Sequence, residues 1–181
     1  IKILYLWQDG NDHFNSRNKI IRTVDKNVKL NVLTTYSGVK ELLLKPRFVS
    51  KDPFKNDDSL IVLCDVFGSD GQNLNVDKRI DFIKKLEEYK SKIEESEPRF
   101  SFIVKVEFQN VDDDVKLNDM VETLVNVSVK GKVNISQYYI ENGNTVVFEN
   151  EFNEGINCTD EFTFFKYILE RTSKILNFEY K

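Results

Sequence analysis

Lys105 and Glu107 stand two residues apart in Arg99–Gln109, a stretch that alternates apolar and polar side chains. A period of two marks a strand with one buried face. Phe102, Val104, Val106 and Phe108 take the apolar face, and Ile103, Lys105 and Glu107 share the other. Carboxylates on one strand face can hold a hard dication through oxygen. A lysine ammonium has no lone pair to give a metal. Lys105 therefore either pairs with neighbouring carboxylates or reaches into solvent. Other chemistries are short of parts. The single histidine, His13, lies in an early turn and reads as a surface residue. Cys64 sits inside an apolar run and reads as a buried thiol; with Cys158 it makes neither a disulfide framework nor a zinc site. One distant histidine cannot complete a Ser/His/Asp or Cys/His set. No Gly-rich phosphate loop occurs, and Asp112-Asp113-Asp114 reads as a solvated loop.

The elements that position these residues follow from the pattern. Ile1–Trp7 is an apolar run closed by the turn signal Asp9-Gly10. Arg17–Val24, Lys29–Tyr36, Leu42–Leu44 and Leu60–Val66 read as further short strands, the last two separated by the polar turn Lys51–Ser59. Gly68-Ser69-Asp70-Gly71 marks a boundary, which predicts a small β-rich domain over 1–70 and a second domain over 71–181. Asp77–Ser96 carries Ile80, Ile83, Leu86, Tyr89 and Ile93 near helical spacing, and Pro98 stops it. Asn118–Lys130 is a second amphipathic helix ending at Gly131. Lys132–Glu141 and Thr145–Phe152 are strands joined by Asn142-Gly143-Asn144, a hairpin signal. Thr159 is placed to cap a last helix through about Leu176. The fold class is α+β.

Charged residues make up 31% of the 181, with a net charge of −4 and no basic stripe. That balance argues against nucleic acid as a partner. No apolar run is long enough to cross a bilayer, and the opening residues are too short and too quickly polar for a signal peptide. A reducing cytoplasm is the expected location. Asn126-Val-Ser128, Asn134-Ile-Ser136 and Asn157-Cys-Thr159 match the glycosylation triplet and are read as chance in an Asn-rich chain. Alanine is missing altogether, while Lys, Asn, Ile, Phe and Asp abound. AT-rich coding DNA explains this bias, as in some parasites and large DNA viruses, so a virus-encoded chain is one expectation.

Lys51–Phe67, KDPFKNDDSLIVLCDVF, resembles the join between the two domains of eukaryotic-type glutamine synthetases, where a basic residue and Asp-Pro-Phe lead into a strand reading LVLC(D/E)-x-(F/Y). Further matches follow in the family's order. The opening ILYLWQDG resembles the first strand and its WIDG-type turn. Pro98–Phe108 resembles the strand that carries the Glu-x-Glu metal motif. Asp119-Met120-Val121-Glu122 resembles the DIVE start of the next helix. Glu154-Gly155-Ile156, Asp160 and Tyr167–Arg171 resemble the EGI…D…FILHR region.

The resemblance implies a β-grasp-like N-terminal domain and part of a catalytic domain, an antiparallel sheet with helices packed on one face. The family joins glutamate and ammonia at the expense of ATP, with Mg²⁺ or Mn²⁺ held by carboxylates. Here the Glu-x-Glu triplet is Lys105-Val106-Glu107, so Lys105 stands where the first ligand belongs and would replace the metal's charge. Two other ligand positions of the family fall on the following hairpin: Glu149 matches one, and Glu141 lies close to the other, though Asn142 is an alternative there. Glu107, Glu141 and Glu149 are then either a vestigial metal site or ordinary strand-end glutamates. The ammonium-deprotonating DGS-type loop corresponds to Leu33-Thr34-Thr35-Tyr36-Ser37-Gly38, which lacks an Asp. The later His- and Arg-bearing half of the family is not matched. The implied function is a pseudoenzyme without cofactor or catalytic residues, retained for protein interaction, self-association or a structural role. Alternatives are a fragment of an active ligase completed by further sequence or a second chain, using Mg or Mn with ATP; a regulator docking on genuine synthetase rings; and an unrelated α+β domain. A partial barrel leaves sheet edges that must be covered, charged or used for association, which predicts either a rearranged open sheet or a dimer.

Overall fold

The computed structural model describes residues 1–9, 13–22, 30–72, 74, 79–92, 98–111 and 113–181. The chain is a mixed α+β protein in which strands outnumber helices, and it divides into two compact units, Ile1–Tyr89 and Lys90–Lys181. The turn at Gly68–Gly71 therefore lies inside the first unit, and the division falls at 89/90 where 70/71 was expected.

In the first unit five strands form one sheet: β1 (Lys2–Gln8), β2 (Phe14–Ile20), β3 (Leu33–Ser37), β4 (Lys40–Lys51) and β5 (Leu60–Gly68). Their order is β2-β1-β5-β4-β3, with β1 and β5 parallel at the centre and the other pairs antiparallel. Alternation places Ile3 and Tyr5 of β1 beside Leu42, Leu44, Val62, Cys64 and Val66 in one buried cluster. Ile61 and Leu63 are also buried, so β5 hides both faces, which is why it reads as a continuous apolar run.

The strand β4 extends well beyond the expected triplet Leu42–Leu44. It continues through Pro46, a residue that cannot donate to a ladder. Two features permit this. The neighbour β3 ends opposite Leu44, and the register against β5 shifts between Pro46 and Phe48. Arg47, at the shift, reaches Asp65 with Nη1–Oδ1 at 3.0 Å. The turn after Lys51 is built around buried Asp52. Its Oδ1 accepts the Phe54 N–H at 3.1 Å, its own N–H donates to the Ser59 carbonyl at 2.8 Å, and Lys55 Nζ lies 3.1 Å from Oδ2. The Asp-Pro-Phe motif is thus an Asx turn, with the side chain imitating a backbone acceptor. The helix α1 (Arg79–Lys90) follows, and among its described side chains Leu86 is buried. The outer ends of the expected helix, 77–78 and 93–96, lie outside the described residues, as do Val24 and Lys29 of the two expected strands.

The second unit centres on a four-stranded antiparallel sheet of order β11-β7-β9-β8. Its members are β7 (Ile103–Gln109), β8 (Ile135–Asn142), β9 (Thr145–Asn150) and β11 (Glu179–Tyr180). A separate two-stranded ribbon joins β6 (Arg99–Phe100) to β10 (Asn153–Glu154). The expected strand Arg99–Gln109 is thereby broken, because the Phe102 N–H donates to the Asn150 side chain at 2.6 Å. Helix α2 (Asp114–Lys130) buries Leu117, Met120, Val121, Leu124 and Ser128, a stripe at spacings of three and four. It starts four residues before the expected Asn118. Asp113 is its N-cap and accepts the Val115 N–H at 2.9 Å, so this part of the acidic run caps a helix.

Helix α3 (Gly155–Leu176) begins before Thr159. That residue sits one turn inside and donates its hydroxyl to the Ile156 carbonyl at 2.7 Å, while Asn153 Oδ1 accepts the Glu154 N–H at 2.8 Å ahead of the helix. The expected Thr159 cap is corrected accordingly. The helix ends as expected, with Asn177 in the left-handed region at φ 54°. Phe165 of α3 packs on Phe148 of β9 at 5.4 Å between ring centroids and on Phe102 at 6.0 Å. Helix α2 packs on α3 and β8.

Candidate functional site

The face of the second sheet turned away from Phe165 carries the residues singled out for chemistry. Register fixes their places. Lys105 lies opposite Val147, which lies opposite Tyr139; Glu107 lies opposite Thr145; Ile103 lies opposite Glu149, which lies opposite Gln137. Val106 and Phe108 are buried on the inner face, and Ile103, Lys105 and Glu107 are exposed on the outer, as the alternation predicts.

Lys105 reaches across β9 to the next strand but one. Its Nζ donates to Glu141 Oε1 at 2.6 Å. Glu141 can meet it because the β8 register shifts between Ile140 and Asn142, and Glu141 is the residue without a partner in the ladder. Hydrogen bonding to Glu141, then the charge of that carboxylate, raises the Lys105 pKa above its ordinary value. The Lys105 side chain is 59% exposed, so this is a solvated pair and not a buried one. Val147 is fully buried although it shares this face. Its register neighbours on that face are Lys105 and Tyr139.

The three glutamates do not converge. Glu141 is held by Lys105. Glu149 Oε2 accepts from Gln137 Nε2 at 2.6 Å. Glu107 and Glu149 are separated by the four-residue register step from 107 to 103, roughly 13 Å along a strand. A Mg²⁺ or Mn²⁺ ion needs its oxygens at about 2.0–2.1 Å, so this set does not fit one ion. Among the described residues, no group of three or more His, Cys, Asp or Glu side chains is placed to hold a metal. The open depression of about 540 Å³ beside Glu107 is lined by Gln109, Asn110, Asn142 and Asn144, with no lysine or arginine to meet a phosphate.

The thiols are equally withdrawn. Burial pushes the Cys64 pKa up to about 12, against a lowering by Arg47. Burial also raises the Cys158 thiol, with a smaller opposing effect from Asn150. Thiols that stay protonated are poor nucleophiles. His13 is exposed in the turn before β2, as expected.

A buried polar group escaped the sequence reading. Glu161, 4% exposed, accepts from Asn153 Nδ2 at 2.7 Å, from Asn134 Nδ2 at 3.2 Å and from the Asn134 N–H at 3.5 Å. It ties the first turns of α3 to β10 and to the segment before β8. Asn134 itself is exposed, and its side-chain amide donates to Glu161. The only sequence signal was a glutamate on the helix face already assigned to Phe162 and Phe165. Comparison with protein-family models finds no match, and comparison with curated protein sequences finds none either.

Proposed function

We propose that this chain is a degenerate relative of the glutamine synthetases that does not make glutamine and is kept for binding protein, either another molecule or its own copy. One observation carries the reading. At the position that the motif resemblance assigns to the first Glu-x-Glu ligand, an ammonium lies 2.6 Å from a carboxylate on the neighbouring hairpin. A positive side chain there supplies the charge a dication would have supplied, and it consumes one carboxylate that the ion would need. The fold supports the same reading. A central parallel pair of first and last strands suits a β-grasp-like unit, and an antiparallel sheet with α2 and α3 on its inner side suits part of the catalytic domain. On this reading the protein needs no metal or nucleotide and works in the cytoplasm. No helix among the described residues is long and apolar enough to span a membrane.

The test is release of ADP with glutamate, ammonia, ATP and Mg²⁺, coupled to a spectrophotometric readout. The expected result is a rate equal to that of a blank without protein. ADP release above that blank that depends on glutamate and ammonia would end the proposal.

A further inference from the structure

We infer that β8 is the contact strand of a twofold dimer, pairing antiparallel with β8 of a second copy around Tyr139. The strand lies at the edge of its sheet, with β9 as its one ladder partner among the described residues. Every residue from Ser136 to Asn142 is exposed, while β9 beside it is largely buried. Three large apolar residues stand in a row on it: Tyr138, Tyr139 and Ile140, at 42%, 46% and 45% exposure. Edge strands usually carry charge that repels a second strand. This one has a single charged residue, Glu141, and Lys105 of the same chain already neutralises it.

The sequence of β8 is complementary to itself. Antiparallel pairing sets residues of one face opposite residues of the same face. An axis through Tyr139 puts Tyr139 against its copy, Tyr138 against the second copy's Ile140, and Ile140 against the second copy's Tyr138. Aromatic against β-branched is a favourable cross-strand pair, and the axis makes it twice. A heterologous strand would have to bring the same pattern. A second copy brings it by symmetry.

This deepens the binding role proposed above by naming the partner, and it rests on that reading only for its purpose. ADP turnover would end the inactive-enzyme reading and leave the dimer intact; a monomer would end the dimer and leave inactivity intact. The test is sedimentation velocity of the full chain at rising concentration, with Tyr139→Lys, Tyr139→Glu and an equal mixture of the two. The wild type should shift from monomer to dimer. Each variant should remain monomeric, because like charges meet at the axis, and the mixture should dimerise again through a Lys–Glu pair. Circular dichroism checks that each variant is folded. Ile140→Lys, at a half-exposed site facing the second copy's Tyr138, repeats the test should either Tyr139 variant misfold, with a monomer expected. A wild type that stays monomeric, a dimer that survives the single variants, or a mixture that fails to recover would each overturn the inference.

Discussion

Cys64 and Lys105 are displaced from ordinary protonation behaviour in opposite settings, one by burial and one by a partner. For Cys64 the folded thiol holds its proton up to about pH 12, whereas an unfolded thiol releases it near pH 8.5. Between these values the folded state binds more protons than the unfolded state, so the stability of unfolding falls as pH rises. The slope is at most about 1.4 kcal/mol per pH unit. Denaturant titrations across that window should show this loss, and Cys64→Val should flatten the slope while leaving neutral-pH stability close to wild type. Lys105 differs because its pair with Glu141 is solvated. Lys105→Glu would set two carboxylates together where an ammonium and a carboxylate now meet, with Glu107 on the same face. The thermal midpoint should drop. If the lysine stands in for a dication, Mn²⁺ should restore the midpoint more than sodium chloride of equal ionic strength does. Equal recovery in both salts would reduce Lys105 to a surface charge.

Helices and strands of the second unit are legible to the degree that their signals are local. The outer face of β7 and the hairpin between β8 and β9 follow from alternation and from the Asn142-Gly143-Asn144 signal, whose loop is Gly143-Asn144 with Gly143 at φ 49°. The break between β6 and β7 is not legible, because it depends on Asn150, 48 residues away in sequence, accepting the Phe102 N–H. The early start of α3 is hidden for a related reason. Asn153 and Glu161 organise that entry through Asn134, and no short window contains all of them. The failure of Glu149 to join Glu107 is a matter of register, which motif order does not encode. The end of α2 makes a sharper case. Gly131 has ordinary φ of −77°, but a Cβ there would meet Phe164 Cε1 at 2.8 Å and Ile168 Cδ1 at 3.0 Å. Both side chains are fully buried and have little room to retreat. Gly131→Ala should therefore destabilise the protein by about 1–3 kcal/mol, measured by chemical denaturation, although alanine is the better helix former.

At the scale of the whole molecule, each unit carries its own sheet, and neither sheet plan can be read from strand propensity alone. The parallel pairing of β1 with β5 joins the first strand of a unit to one that follows three others. Only the continuous apolar character of β5 hints that it lies in the middle. The α+β class is legible because it needs only the kinds of element present, not their partners. A last consequence concerns β8, whose ladder slips once between Ile135 and Gln137 and again between Ile140 and Asn142. Those two irregularities leave a straight template of only four residues, Gln137–Ile140. Amyloid growth feeds on flat, uninterrupted segments of about six or seven residues. A tyrosine-rich rim of this kind would otherwise invite fibrils. Here the kinks limit what can be added, and prolonged agitation at neutral pH should leave thioflavin fluorescence at its baseline.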